Sequence, residues 1–432
     1  MNAKAQCIGA SQNAISRRRA PLLLAGCACL SAPTIAATVS FAPQVMFATP
    51  PAPYAVATAD INGDGRPDLV TANYNITAQG TAVLLNTTAQ NGSTPSFAGW
   101  QAFATELNSA SVSTADINGD GKPDVIVANY GGGDVSVLLN TTITGAGTPS
   151  LATQQTYALG PTGQEQPFSV TTADINGDGK PDLITADLSV GEMSVLINTT
   201  AALAASSTFA SSVGFLTGTG TTSTNPRSVA AADINGDNKP DVIVANRGEN
   251  TVSVFLNTTT VGAPTPTFAA QQIFATGTRP VNVAVADVNG DGKPDMIVAN
   301  ATDNTISVLL NTTSPGAGTP TFAAQQTFGG LATPEYVATG DVDGDGKPDL
   351  IVANYFSGMV SVLINTTPNS AAVPSFAALQ MFATGTSCLS VTTADINGDG
   401  RLDLVVANLG GSNVSVLLNT TLSDIIFANG FQ

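Results

Sequence analysis

The chain has 432 residues, 43% hydrophobic and only 10% charged, enough apolar material for a large core. It contains no histidine, which excludes His-based catalytic triads and His-ligated metal sites. The formal net charge of −17 makes it a poor partner for nucleic acid, and none is expected.

The amino terminus reads as an export signal. Arg17, Arg18 and Arg19 form a positive region, residues 20–32 (APLLLAGCACLSA) an apolar core, and small residues near 36–37 a cleavage site. The apolar run is too short to span a bilayer, so no transmembrane segment is expected. Residues 1–37 are therefore assigned to a signal peptide, and the mature protein to a secreted, cell-surface or periplasmic location. Residues 24–27 (LAGC) also resemble a lipoprotein box that would lipidate Cys27, and the arginines weakly resemble a twin-arginine signal. Ordinary cleavage near residue 37 is favoured. It removes Cys7, Cys27 and Cys29 and leaves Cys388 alone, so the mature chain has no internal disulfide.

Residues 39–49 (VSFAPQVMFAT) read as a strand and resemble 268–276 (FAAQQIFAT) and 376–384 (FAALQMFAT). This copy precedes the first repeat and has no unit of its own. From there the chain repeats seven times, with a leading aspartate at Asp60, Asp116, Asp174, Asp233, Asp287, Asp341 and Asp395. Intervals of 54 to 59 residues mean stacked or radial units. Each unit has a first strand of small residues (YAVATAD in the first), a D-x-[ND]-G-D-[GN]-x-x-D loop, and a second strand such as DVIVAN. A Gly/Asn-rich turn, a third strand such as VSVLLNTT, a Gly/Pro/Thr linker and a fourth strand follow. The small first strands suit the crowded axis of a radial array. The expected fold is all-β: a seven-bladed β-propeller of four-stranded antiparallel blades over residues 38–421. The last unit lacks a fourth strand, so the N-terminal strand 39–49 is expected to close the ring. A linear calcium β-roll is the alternative, but its repeats run to about nine residues. The tail 422–432 has no repeat counterpart.

The loops carry the clearest chemistry. Oxygens at loop positions 1, 3 and 5, a carbonyl at 7 and a carboxylate at 9 can converge on one cation. A set of hard oxygens suits calcium. Of 31 acidic residues, 22 lie in these loops. Seven Ca²⁺ ions would bring the net charge from −17 to about −3, so folding is expected to be coupled to calcium. Asn238 replaces the position-6 glycine in the fourth loop, a place where asparagine tolerates positive φ. Leu402 replaces the position-8 proline in the seventh.

The loop with its flanking strands resembles the FG-GAP/VCBS-type repeat of integrin α-subunit propellers and of a seven-bladed fungal lectin. The resemblance covers roughly residues 39–421. It implies that each loop joins the two innermost strands of a blade and holds calcium, up to seven ions in all. The implied metal residues are Asp60, Asn62, Asp64 and Asp68; Asp116, Asn118, Asp120 and Asp124; Asp174, Asn176, Asp178 and Asp182; and Asp233, Asn235, Asp237 and Asp241. The remaining three loops imply Asp287, Asn289, Asp291 and Asp295; Asp341, Asp343, Asp345 and Asp349; and Asp395, Asn397, Asp399 and Asp403.

Loops joining strands two to three and four to one should share the opposite face. They vary most between units, as binding loops do. They hold the candidate ligand residues Tyr74, Tyr130, Tyr355, Arg227, Arg247 and Arg279, together with Asp187, Asp303 and Glu335. The arginines belong to units four and five and make that side cationic. Asn-Thr-Thr recurs from Asn86 to Asn419; it fits the N-glycosylation pattern but reads as a strand end and turn. Catalysis finds little support, because nearly all acids are committed to the loops and Cys388 has no histidine to activate it. The expected function is a monomeric, exported, calcium-binding module for protein interaction or cell-surface adhesion, with an extracellular protein or glycan as ligand. A calcium-dependent lectin is the alternative, and a polysaccharide-active enzyme the third reading.

Overall fold

The computed structural model describes residues 38–74, 80–160, 165–219 and 224–421. The expected signal peptide (1–37), with its alternative lipid anchor at Cys27, and the tail (422–432) lie outside them. Among the described residues no helix is long and apolar enough to cross a membrane.

Seven antiparallel sheets of four strands form the blades of a β-propeller. The first strands are Pro53–Ala59, Ser109–Ala115, Pro167–Ala173, Pro226–Ala232, Pro280–Ala286, Pro334–Gly340 and Cys388–Ala394. Each contacts the first strands of the blades on either side, and the strands at 53 and 388 contact each other, so the array is a closed ring. The second strands are buried at every position, for example Asp124–Asn129. That explains their continuous apolar runs: a strand covered on both faces does not alternate. Five of the seven fourth strands alternate instead between half-buried and exposed residues, as outer strands should.

Apolar side chains from adjacent blades interdigitate in seven clusters. One joins Ile61, Val70, Val83 and Leu85 of blade one to Val112, Val125, Val127 and Leu138 of blade two. The ring closes as expected. Val45–Ala48 pairs antiparallel with Asn413–Leu417 in the register Val45↔Val416, Phe47↔Val414, and Phe41 bridges to Asn419. Without this strand the last blade would expose its third strand as an unpaired apolar edge.

Entry into every blade follows one local rule. The residue before each first strand is left-handed: Ala52, Asn108, Gln166, Asn225, Arg279, Thr333 and Ser387 have φ between +47° and +61°. The next step is a bulge, in which one residue is skipped in the pairing with the second strand, as between Pro53 and Ala55. The skipped residues are Tyr54, Ala110, Phe168, Arg227, Val281, Glu335 and Leu389. All seven line a cavity of about 220 Å³ on the propeller axis.

Candidate functional site

The first loop shows how the acidic repeats are built. Asp60 accepts the backbone N–H of Asp64 at 3.0 Å on Oδ1 and that of Gly65 at 2.8 Å on Oδ2. Asp64 Oδ1 accepts the N–H of Arg66 at 3.0 Å. Gly63 and Gly65 take the positive φ that this wrap demands, and Asn238 does the same in loop four at +64°.

The ninth-position aspartate ties the loop to its blade. Asp68 Oδ2 accepts the N–H of Ile61 at 2.8 Å, and Oδ1 accepts that of Asn86 at 2.7 Å. Asn86 in turn donates from Nδ2 to the Ile396 carbonyl of the seventh blade's loop, at 2.8 Å. The same latch recurs from Asn140, Asn198, Asn257, Asn311, Asn365 and Asn419 to the loop of the blade before. The Asn-Thr-Thr repeat is thus a buried structural joint, with its asparagine amide already spent. Burial pushes the ninth-position carboxyls up: Asp68, Asp124, Asp182 and Asp241 to about 6, and Asp295, Asp349 and Asp403 to about 7.

A second joint uses position 3. Asn62 Oδ1 accepts the N–H of Asp64, while its Nδ2 donates to the Ala146 carbonyl of the next blade's linker at 3.1 Å. Asn118, Asn176, Asn235, Asn289 and Asn397 make the equivalent bond across their own junctions. The sixth loop differs. The blade after it takes its fourth strand from the chain's start, so among the described residues it has no linker carbonyl to offer. There the residue is Asp343, which donates nothing. Asp341, Asp343 and Asp345 bring carboxylate oxygens within 4.8 Å of one another.

The opposite end of the axis is irregular. Arg227, at the fourth blade's bulge, reaches across it. Its guanidinium donates to Glu335 of blade six and to the Tyr54 hydroxyl of blade one, both at 2.9 Å, and lies 4.3 Å from the Phe168 ring centroid of blade three. Four rings form a closed circuit: Tyr54–Tyr74 at 5.4 Å, Tyr74–Tyr130 at 5.9 Å, Tyr130–Phe168 at 5.7 Å and Phe168–Tyr54 at 5.4 Å. Arg279 stands 3.8 Å from Glu335. Burial and the charges of Arg227 and Arg279 hold the Arg247 guanidinium below its usual value.

The structure therefore brings Tyr74, Tyr130, Arg227, Arg247 and Arg279 to one mouth; Tyr355 holds the position in blade six equivalent to Tyr74, Tyr130 and Arg247, and packs edge-on against the exposed Phe356. Three sequence expectations change. Arg227 and Glu335 stand at strand bulges rather than in loops, because the chain enters the sheet at Pro226 and Pro334, two residues earlier than its composition suggests. Asp187 is a fully buried strand end, held by Ser194 and Thr185, at the position where the other six blades have asparagine. Tyr54 and Phe168 escaped the sequence reading. Their signal is a repeat position that holds Tyr, Ala, Phe, Arg, Val, Glu and Leu in turn, two residues before a valine present in all seven blades.

The FG-GAP-like repeat profile matches residues 116–185, 233–298, 287–352 and 341–406, and the FG-GAP repeat matches 52–85, together more than half of the chain. No curated protein sequence matches it. Among solved structures, it is similar to a crystal structure of BBS1N in complex with ARL6DN soaked with lead, at 11% identity and TM-score 0.53, over 88% of this chain and 99% of that one. It is also similar to a candidate 6-phosphogluconolactonase from Bacteroides uniformis, at 15% identity and TM-score 0.55, over 81% and 94% of the two chains. At these identities the likeness shows the fold alone.

Proposed function

The chain belongs to the FG-GAP-like repeat family, and from that premise we propose that it is an exported, calcium-loaded propeller serving as a protein-interaction or cell-surface adhesion module. The observation that carries this reading is the contrast between the two ends of the axis. One end repeats a single oxygen-rich loop seven times. The other gathers Tyr54, Tyr74, Tyr130, Phe168 and three arginines, residue types favoured at contact surfaces.

Calcium fits the loops by donor chemistry. In the first, Asp60, Asn62, Asp64 and Asp68 with the Arg66 carbonyl offer only hard oxygens; five of the other loops repeat the set of side chains, and the sixth loop has Asp343 in place of the asparagine. The amide bonds made by the aspartates do not exhaust them, since a carboxylate has about four lone-pair sites. A bound cation supplies positive charge where buried carboxyls otherwise resist ionisation. Through the latches from Asn86 to Asn419, order in each loop is shared with its neighbours around the ring. We propose one ion per loop, seven in all. Calorimetric titration of chelated protein should find seven sites and a melting temperature that falls in EDTA. Two or fewer sites would defeat the proposal.

The aromatic circuit favours the lectin as second reading. No catalytic role is proposed. Binding of labelled protein to intact cells and to a glycan array, in calcium, separates the two. Tyr74→Ala or Arg247→Gln should abolish either kind of binding; unaffected binding would move the interface off this mouth.

A further inference from the structure

We propose that the axial mouth binds a cyclic carboxylate, a sugar acid, with its ring against the tyrosine circuit and its carboxylate paired with Arg247 and Arg279. The inference rests on the reading of this end as the binding surface and assigns the chemistry of the ligand.

The charge at the mouth is unbalanced. Three arginines meet one carboxylate, Glu335, in a protein of net charge −17. Arg227 is already satisfied: its side chain is 11% exposed and its guanidinium is held by Glu335, Tyr54 and the Phe168 face. Arg279 is different, 37% exposed and 3.8 Å from the same Glu335. Arg247 forms no ion pair among the described residues, yet it is crowded by the other two arginines. The Nε atoms of Arg247 and Arg279 are buried and have no hydrogen-bond partner. Buried donors without acceptors cost free energy, and a planar carboxylate is the acceptor that matches a guanidinium fork. Such an anion, paired with the guanidinium ends, would relieve the repulsion between like charges.

The opposite wall selects a ring. Tyr54, Tyr74, Tyr130 and Phe168 are half-buried and continuous, so they present aromatic surface beside phenolic hydroxyls. That pairing of flat apolar area with hydrogen-bonding tips suits a pyranose, which has apolar ring faces and hydroxyls at its rim. The surrounding walls disfavour an extended peptide. Inner strand edges are already engaged: the N–H groups of Val170, Val229 and Val283 donate to Ser111, Ser169 and Ser228 of the preceding blade, and that of Val337 to Asn282. These bonds occupy an edge N–H in four of the inner strands, which disfavours addition of a peptide strand there.

The test is calorimetry on the calcium-loaded full chain with D-glucuronate, D-glucose and acetate as separate probes. Glucuronate should bind at least roughly tenfold more tightly than either of the others. Arg247→Gln and Tyr74→Ala should each weaken it by roughly tenfold or more without lowering the melting temperature, and Met381→Gln on the outer rim should leave it unchanged. Equal affinity for acetate reduces the site to an anion hole and overturns the proposal; so does equal affinity for glucose, or no glucuronate binding at about 10 mM. A methyl glucuronoside that binds as well as free glucuronate points to a chain-borne residue, and one that fails points to the free acid; both keep the assignment. If Tyr74→Ala abolishes cell binding while glucuronate never binds, the interaction reading stands and the sugar acid falls, most directly if an acidic peptide binds in its place. If neither response depends on the mouth, both fall.

Discussion

The two ends of the propeller axis obey different rules. At the metal-loop end, Asp68 and its six counterparts make the same two backbone bonds, and Asn86 and its six counterparts reach the same neighbouring carbonyl. At the mouth, seven structurally equivalent bulges hold seven different residues. Two positions further along the same strands, every blade has a buried valine. Repetition is thus enforced where a residue must complete a joint between blades. It is released where a side chain meets only the axis, and there the chain is free to assemble a site with no symmetry.

The largest test of the repetitive architecture is removal of residues 38–49. This deletes the outer strand of blade seven and exposes the edge of Asn413–Leu417. Loss of the cooperative melting transition, or aggregation on size exclusion, is expected. A truncated protein that melts like the full chain and stays monomeric would show that ring closure contributes nothing.

At the mouth, stability and binding should come apart. Arg227→Met leaves Glu335, 7% exposed, with only the longer Arg279 contact. It should cost roughly 2–4 kcal/mol in denaturant unfolding. Arg247→Gln removes an unpaired charge and should stay within about 0.5 kcal/mol of the parent. Equal costs for the two would mean that Arg227 is not the structural member of the set.

Asp187 breaks the repeat inside the body of blade three. Burial pushes its carboxyl up to about 7, although Ser194 and Thr185 both donate to it. The folded chain therefore holds a proton that the unfolded chain releases near pH 4. The associated stability is complete below that pH and is lost as pH rises through about 7. Asp187→Asn restores the residue of the other blades and should stabilise the protein at pH 8 by roughly 2–4 kcal/mol, with little effect at pH 4. Chemical denaturation at the two pH values measures this; identical gains at both would place the carboxylate's cost elsewhere.

The smallest effect is expected at the exceptional loop. Asp343→Asn removes one of three clustered carboxylates. In chelated protein it should relieve repulsion and raise stability by roughly 0.5–1 kcal/mol, while in calcium it should weaken the sixth site. A fall in stability under both conditions would show that Asp343 has a structural partner of another kind.

The fold was legible because its signals are local. A period of 54 to 59 residues, an acidic turn that needs positive φ at set positions, and alternating strand types are each readable within a few residues. Ring closure was legible too, since 39–49 resembles the fourth strands and the last unit lacks one. The positive φ of Asn238 followed from the same local chemistry. The second task of Asn62 and its counterparts was not legible, nor was the reason loop six departs from it. Both depend on a carbonyl more than 80 residues away, supplied by the next blade.

By itself, then, the amino-acid sequence determined the number of blades, their order, the strand that closes them and the oxygen-rich composition of each loop. Turn chemistry and hydrophobic period act over a few bonds and tolerate no other arrangement. Only the tertiary structure decided that Arg227 would meet Tyr54, 173 residues away, and Glu335, 108 residues away. Those encounters follow from the angles at which seven blades converge, and from bulges that turn one residue per blade toward the axis. The bulges are local, but the angles of convergence that decide which bulged residues meet are not encoded near any of them.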